Sequence, residues 1–185
     1  MKRTFLLMAA AVISLGAVVT AGAVESTSTT PERLPAGPSP ELKKLDFLVG
    51  KVTGKGKMYM PGQSPTDWSC ADKTTWTKDG RYLKSESKIS YPGMGDDEAL
   101  TMIAYDRQAK LYHLWRYSSF TTVPIEATGN FEAEKLVFIS NPCEMGFVFR
   151  ITFEPKAKGQ VAFLLEMKNG DNFEKTQEGI FTARA

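Results

Sequence analysis

The chain has 185 residues, with 23 Lys and Arg against 21 Asp and Glu, one His and two Cys. That length suits a single domain with a sizeable core. A formal net charge of +2, with no basic run or face, excludes the electrostatic footprint of a nucleic-acid or anionic-membrane binder.

Residues 1–23, MKRTFLLMAAAVISLGAVVTAGA, read as a secretory signal. Lys2 and Arg3 form the positive start, Phe5 to Val19 the apolar stretch, and Ala21-Gly22-Ala23 the small-residue cleavage site. The apolar run is too short and too rich in Ala and Gly for a stable membrane anchor. Cleavage after Ala23 removes two positive charges and leaves 21 of each sign. The expected location is the periplasm or the exterior. Residues 24–38 are rich in Thr, Ser and Pro and lack apolar periodicity, so they read as a flexible leader to a domain over 39–185.

Order is expected to begin at Ser39-Pro40-Glu41, with Ser as helix cap and Pro at the first helical position. Leu42, Leu45 and Leu48 then recur on one helical face, before Gly50. Beyond Lys51 the pattern changes to short alternating runs separated by turn chemistry. The predicted strands are 51–59, 67–77, 81–91, 98–105, 110–118, 123–131, 135–140, 145–153, 160–168 and 173–182. Between them stand Pro61-Gly62, Asp79-Gly80, Pro92-Gly93, Asn141-Pro142, Pro155 to Gly159 and Asn169-Gly170. Sequential strands with tight turns predict an all-β, up-and-down antiparallel barrel of about ten strands with a short N-terminal plugging helix. A two-sheet sandwich fits the same pattern.

Two strands indicate an inside face. Met145, Phe147, Phe149, Ile151 and Phe153 alternate with a more polar set, and so do Val161, Phe163, Leu165 and Met167. Ten strands close a barrel wide enough to hold a ligand-sized cavity. Cys70 and Cys143 are expected to form a disulfide in an oxidising compartment, closing a long loop and contributing roughly 4 kcal/mol in the chain-entropy view.

The segments ELKKLDFLVGKVTGKGKM, WTKDGRYLKSES and AYDRQAKLYHLW, with Arg184 near the end, resemble the domain of unknown function 1579 family of lipocalin-like (calycin-type) exported bacterial proteins. The resemblance covers most of residues 41–184 and implies the same helix-plus-barrel fold. Where the lipocalin-like pattern Gly-x-Trp-x-Gly-x-Gly carries Trp, this chain has Val52. Trp68, Trp76 or the Leu42/Leu45/Leu48 face is expected to substitute at that end of the barrel. The related nitrobindins bind haem through a His late in the chain. No His follows His113 here, so no ligand residue is carried over.

His113 shares a strand face with Leu111, Trp115 and Tyr117, while Tyr112, Leu114 and Arg116 occupy the other. Both faces are partly apolar, so alternation leaves open which looks inward. One His and two Cys do not make a closed zinc set, and Asp96-Asp97-Glu98 lacks calcium-loop spacing. No G-x-S-x-G occurs, and no second His exists to serve a nucleophile. Neither a catalytic set nor a cofactor is therefore assigned. The reading is a binding module that holds a small apolar or amphipathic molecule, with His113, Trp115, Tyr117, Phe147, Phe149 and Phe163 as candidate contacts. The alternatives are an enzyme built on a lumenal polar cluster of His113, Arg116 or Tyr117, and an envelope structural or interaction protein.

Overall fold

The computed structural model describes residues 38–184. The expected signal, and the leader apart from its last residue, lie outside them. Ten strands follow one short helical segment. They are β1 (Gly50–Met58), β2 (Thr66–Trp76), β3 (Leu83–Tyr91), β4 (Gly95–Asp106), β5 (Leu111–Ser118), β6 (Ile125–Glu132), β7 (Lys135–Ser140), β8 (Phe149–Lys156), β9 (Gln160–Asn169) and β10 (Asn172–Ala183). Each pairs antiparallel with the next, and β10 returns to β1, closing the barrel. Closure leaves no free sheet edge, which excludes the sandwich.

The turns form where the local chemistry calls for them. At the β2–β3 turn the Gly80 amide donates to the Thr77 carbonyl at 2.8 Å, and Gly80 takes φ +68°. After β4, Asp106 Oδ1 accepts from the Gln108 and Ala109 amides at 2.7 and 3.0 Å, an Asp side chain standing in for a backbone turn.

The N-terminal segment is an α-helical turn, α1 (Pro40–Lys43), running into a 3-10 turn (Lys44–Leu48). Ser39 caps it, accepting from the Leu42 amide at 3.3 Å. So short a helix holds only by docking. Leu42 and Leu45 are buried against Leu83, Ile103, Tyr112 and Leu136, and Leu45 is 0% exposed. Each such Leu contributes about 1.5–3 kcal/mol on leaving water. Trp76 Nε1 donates to Asp46 Oδ1 at 3.1 Å and ties the same segment to β2. Val52 lines the cavity beneath, so the closing role expected of a Trp on β1 is taken by the helix and Trp76.

Two expectations are corrected. The eighth strand begins at Phe149, four residues later than the alternation predicts. Met145 and Phe147 belong to a loop and are 73% and 39% exposed. The Gly146 amide donates to the Cys143 carbonyl and the Cys143 amide to the Phe147 carbonyl, both at 2.8 Å, with Gly146 at φ +79°. That turn uses residues the alternation assigns to a strand. β8 in turn runs on through Pro155.

The second correction concerns the cysteines. Cys70 and Cys143 are free thiols, not a disulfide. Cys70 is buried on β2, and Cys143 follows β7, the strand five positions round the ring in either direction. Residues on opposite walls of a barrel do not meet the Cα approach that a disulfide requires.

Candidate functional site

Two packed clusters divide the barrel interior. The lower one surrounds Leu45, Leu83, Ile103, Tyr112 and Phe138 and closes the helix end. The upper one consists of Trp68, Cys70 and Ile89, packed with Tyr91 and Phe181. Phe163 touches both, and between them lies a cavity of about 200 Å³.

The cavity has two unlike walls. Phe149, Ile151 and Phe153 of β8, and Val161, Phe163 and Leu165 of β9, make one side wholly apolar. Facing them, β2 to β5 contribute a belt of Asp72, Thr74, Ser85, Ser87, Thr101 and Arg116, set among apolar residues such as Leu83, Ile89, Ile103 and Leu114. The register explains this belt. Asp72 lies directly opposite Ser87 and Thr74 opposite Ser85 across the β2–β3 ladder, so their side chains share the inner face. Thr74 Oγ1 donates to Ser85 Oγ at 2.9 Å.

Arg116 extends from β5 and donates through Nη2 to Asp97 Oδ2 at 2.9 Å. Asp97 is almost fully buried, and its other oxygen accepts from the Ser118 hydroxyl, the Ser119 amide and the Ser119 hydroxyl at 2.8, 3.0 and 2.9 Å. A carboxylate so supplied with donors is fully satisfied where it stands.

Asp72 differs. Its Oδ1 is buried without a hydrogen-bond partner. Burial pushes its carboxyl above the usual range, while Ser87, Cys70 and Arg116 pull the other way. The Cys70 thiol beside it is pushed up to about 12, first by burial and then by the Asp72 charge. Gln177 of β10 completes the belt, and a bulge between Lys175 and Gln177 brings it inward. Before the bulge, Lys175 pairs with the outward Glu166, and after it Gln177 pairs with the inward Leu165.

The sequence-derived candidates divide three ways. Phe149 and Phe163 line the cavity. Phe147 stands exposed in the β7–β8 loop. His113, Trp115 and Tyr117 lie on the outer wall, because their strand turns Leu114 and Arg116 inward. His113 stacks on Trp115 with centroids 5.6 Å apart and planes at 15°, and its Nε2 is 4.0 Å from Asp106. Of the polar belt, Arg116 was named only with the alternative enzyme reading and does line the cavity, while Asp72 and Ser87 were missed although both fall within predicted strands.

The match to known families runs through the N-terminal helix and the first strands. A family model described as "Protein of unknown function (DUF1579)" matches residues 37–144. The chain belongs to this family. The DUF1579 barrel is also similar to the crystal structure of Rv2717c from M. tuberculosis, with a TM-score of 0.60 and 10% identity. That match covers 80% of this chain and 99% of the other, and at so low an identity it speaks for the fold alone. Comparison with curated proteins returned no match. Among the described residues of this DUF1579 chain, no group of three or more His, Cys, Asp or Glu is placed to hold a metal ion. No helix among them is long and apolar enough to cross a membrane.

Proposed function

We propose that this DUF1579 protein is an exported binding module that holds a small amphipathic molecule inside the barrel. The observation that carries the reading is the cavity with one apolar wall, Phe149 to Leu165, facing a belt of polar groups, Asp72 to Arg116, set among apolar side chains of β2 to β5. An apolar body against the first and a polar group against the second would each find their complement. Export rests on the Lys2/Arg3 start, the apolar run to Val19 and the small residues before Val24.

Titration of the purified protein with an apolar fluorescent probe tests the lumen. Leu165→Trp should fill the cavity and abolish the signal, with circular dichroism confirming the fold. Phe147→Ser, in the exposed loop, serves as the control and should leave binding unchanged. Loss of signal in Phe147→Ser but not in Leu165→Trp would move the site to the loops and end the lumenal reading.

An enzyme organised around His113 has no support in the geometry. Its imidazole is on the outer wall, beyond reach of the cavity groups Asp72, Ser87 and Arg116.

A further inference from the structure

We propose that the lumen selects its ligand by head group, taking an uncharged or cationic hydrogen-bond donor, an alcohol or amine on an apolar chain, and rejecting carboxylates. The inference rests on the lumenal reading above and specifies the chemistry of the same site.

The basis is which polar groups of the belt are committed and which are not. Arg116 is the cation among the described residues lining the cavity, and it is held on Asp97 at 2.9 Å. Asp97 has its remaining oxygen filled by Ser118 and Ser119. An anion approaching Arg116 therefore meets one positive charge already shared with a carboxylate, with a second carboxyl, Asp72, on the same side of the cavity. One cation against two carboxyl groups leaves the belt neutral or negative, never positive.

Asp72 Oδ1 is a buried acceptor of this belt that has no partner. It belongs to a side chain that lines the cavity. The groups around it are Ser87 across the ladder on β3, Val52 across on β1, Cys70 and Thr74 on its own strand, and Arg116 from β5. A buried acceptor without a donor is costly, and a turn of the Asp72 carboxyl about its Cβ–Cγ bond toward the lumen lets a ligand hydroxyl or ammonium relieve that cost. A ligand carboxylate adds a like charge in a low-dielectric space instead. The apolar chain would then lie along Phe149, Phe153 and Phe163.

The test is displacement of the lumenal probe by 1-octanol, octylamine and octanoate at neutral pH. The alcohol and the amine should displace it, with octanoate at least about tenfold weaker. In Asp72→Asn, which keeps shape and folding, the gap between amine and octanoate should narrow by a similar factor. Octanoate binding as well as octylamine in the wild-type protein would overturn the proposal, as would a gap unchanged in Asp72→Asn. If the probe binds in a Leu165-dependent way and none of the three displaces it, the head-group rule fails while the lumen stands. If the probe does not bind at all, the lumenal reading fails and takes this one with it.

Discussion

The Tyr112 hydroxyl donates to the Glu41 carbonyl at 2.7 Å, joining the fully buried ring of a barrel strand to the N-terminal helical turn. This bond, with Trp76 on Asp46, holds the helix over the end where Leu45 is sealed. A helical end carbonyl reached by a buried hydroxyl has a partner that water cannot easily replace. Burial also pushes the Tyr112 phenol up to about 12, so the proton needed for the bond stays in place at ordinary pH.

Helix docking is therefore expected to contribute directly to global stability. Leu45→Ala should cost about 2–5 kcal/mol, and Tyr112→Phe about 1 kcal/mol through the lost bond. Urea midpoints at constant m-value measure both. Deleting residues 24–49 without lowering the melting temperature would remove the helix from the account of closure.

Removing Asp97 should be among the most damaging changes away from the apolar core. Asp97→Ala leaves Arg116 partly buried without its partner, a situation that costs about 3–5 kcal/mol. The double replacement Asp97→Ala with Arg116→Met should recover part of that loss. A double-mutant cycle decides, and additive losses would show that the two side chains do not act as a pair.

Asp72 should give the protein a pH dependence of definite sign. A carboxyl whose folded pKa lies above its unfolded value binds more protons when native. Its contribution to stability is therefore greatest below the ordinary Asp range, near pH 4, and declines as pH rises through the folded value. Asp72→Asn removes this decline. The stability of the variant relative to wild type should rise with pH over that window and then level off. Carboxyls held low elsewhere, such as Asp79 and Asp106, act in the opposite direction in both proteins and cancel in the difference. A difference that does not vary with pH would contradict the burial of Asp72.

The two thiols should behave differently. Thiolate is the reactive form, and Cys70 is both buried and pushed up to about 12. Alkylation of native, non-reduced protein should label Cys143 alone, and both cysteines should react in denaturant. Intact mass reads the result directly. Failure to label either thiol after denaturation without reductant would restore the disulfide.

Gly179 marks a place where β10 presses on a side chain of β2. A Cβ added there would fall inside contact distance of both the Trp68 ring, whose Nε1 donates to the Glu178 carbonyl at 3.0 Å, and the Lys55 carbonyl oxygen on β1. Gly179→Ala should cost about 1–3 kcal/mol through overpacking. Trp68→Phe in the same chain should remove only the ring's share of that penalty, since the Lys55 backbone stays in place. An equal penalty in both backgrounds would place the strain on the Lys55 backbone alone.

Strand count, turn positions, the Ser39 cap and the inward face of β9 were legible in the sequence because each rests on local chemistry. A cap needs a hydroxyl before a Pro, a turn needs Asp or Gly, and Val161, Phe163 and Leu165 alternate with more polar neighbours. The Met145–Phe149 stretch also alternates, yet a local turn at Gly146 removes its first residues from the ladder. Alternation reports a face only where the ladder exists.

The rest was decided by the closed barrel. On β5 both faces carry aromatic residues, so nothing local distinguishes Arg116 inside from His113 outside. The register against β4 and β6 settles it. The separation of Cys70 from Cys143 depends on ring order, and the inward turn of Gln177 on one bulge. Asp72 has the same alternation signal as any strand Asp. Its character as an unpartnered acceptor arises only when β1 and β3 bury it and Arg116 is taken by Asp97. Local sequence sets which residues can form strands and turns. Which of them share a desolvated interior is a property of the closed sheet, because burial and charge pairing are set by neighbours distant in the chain.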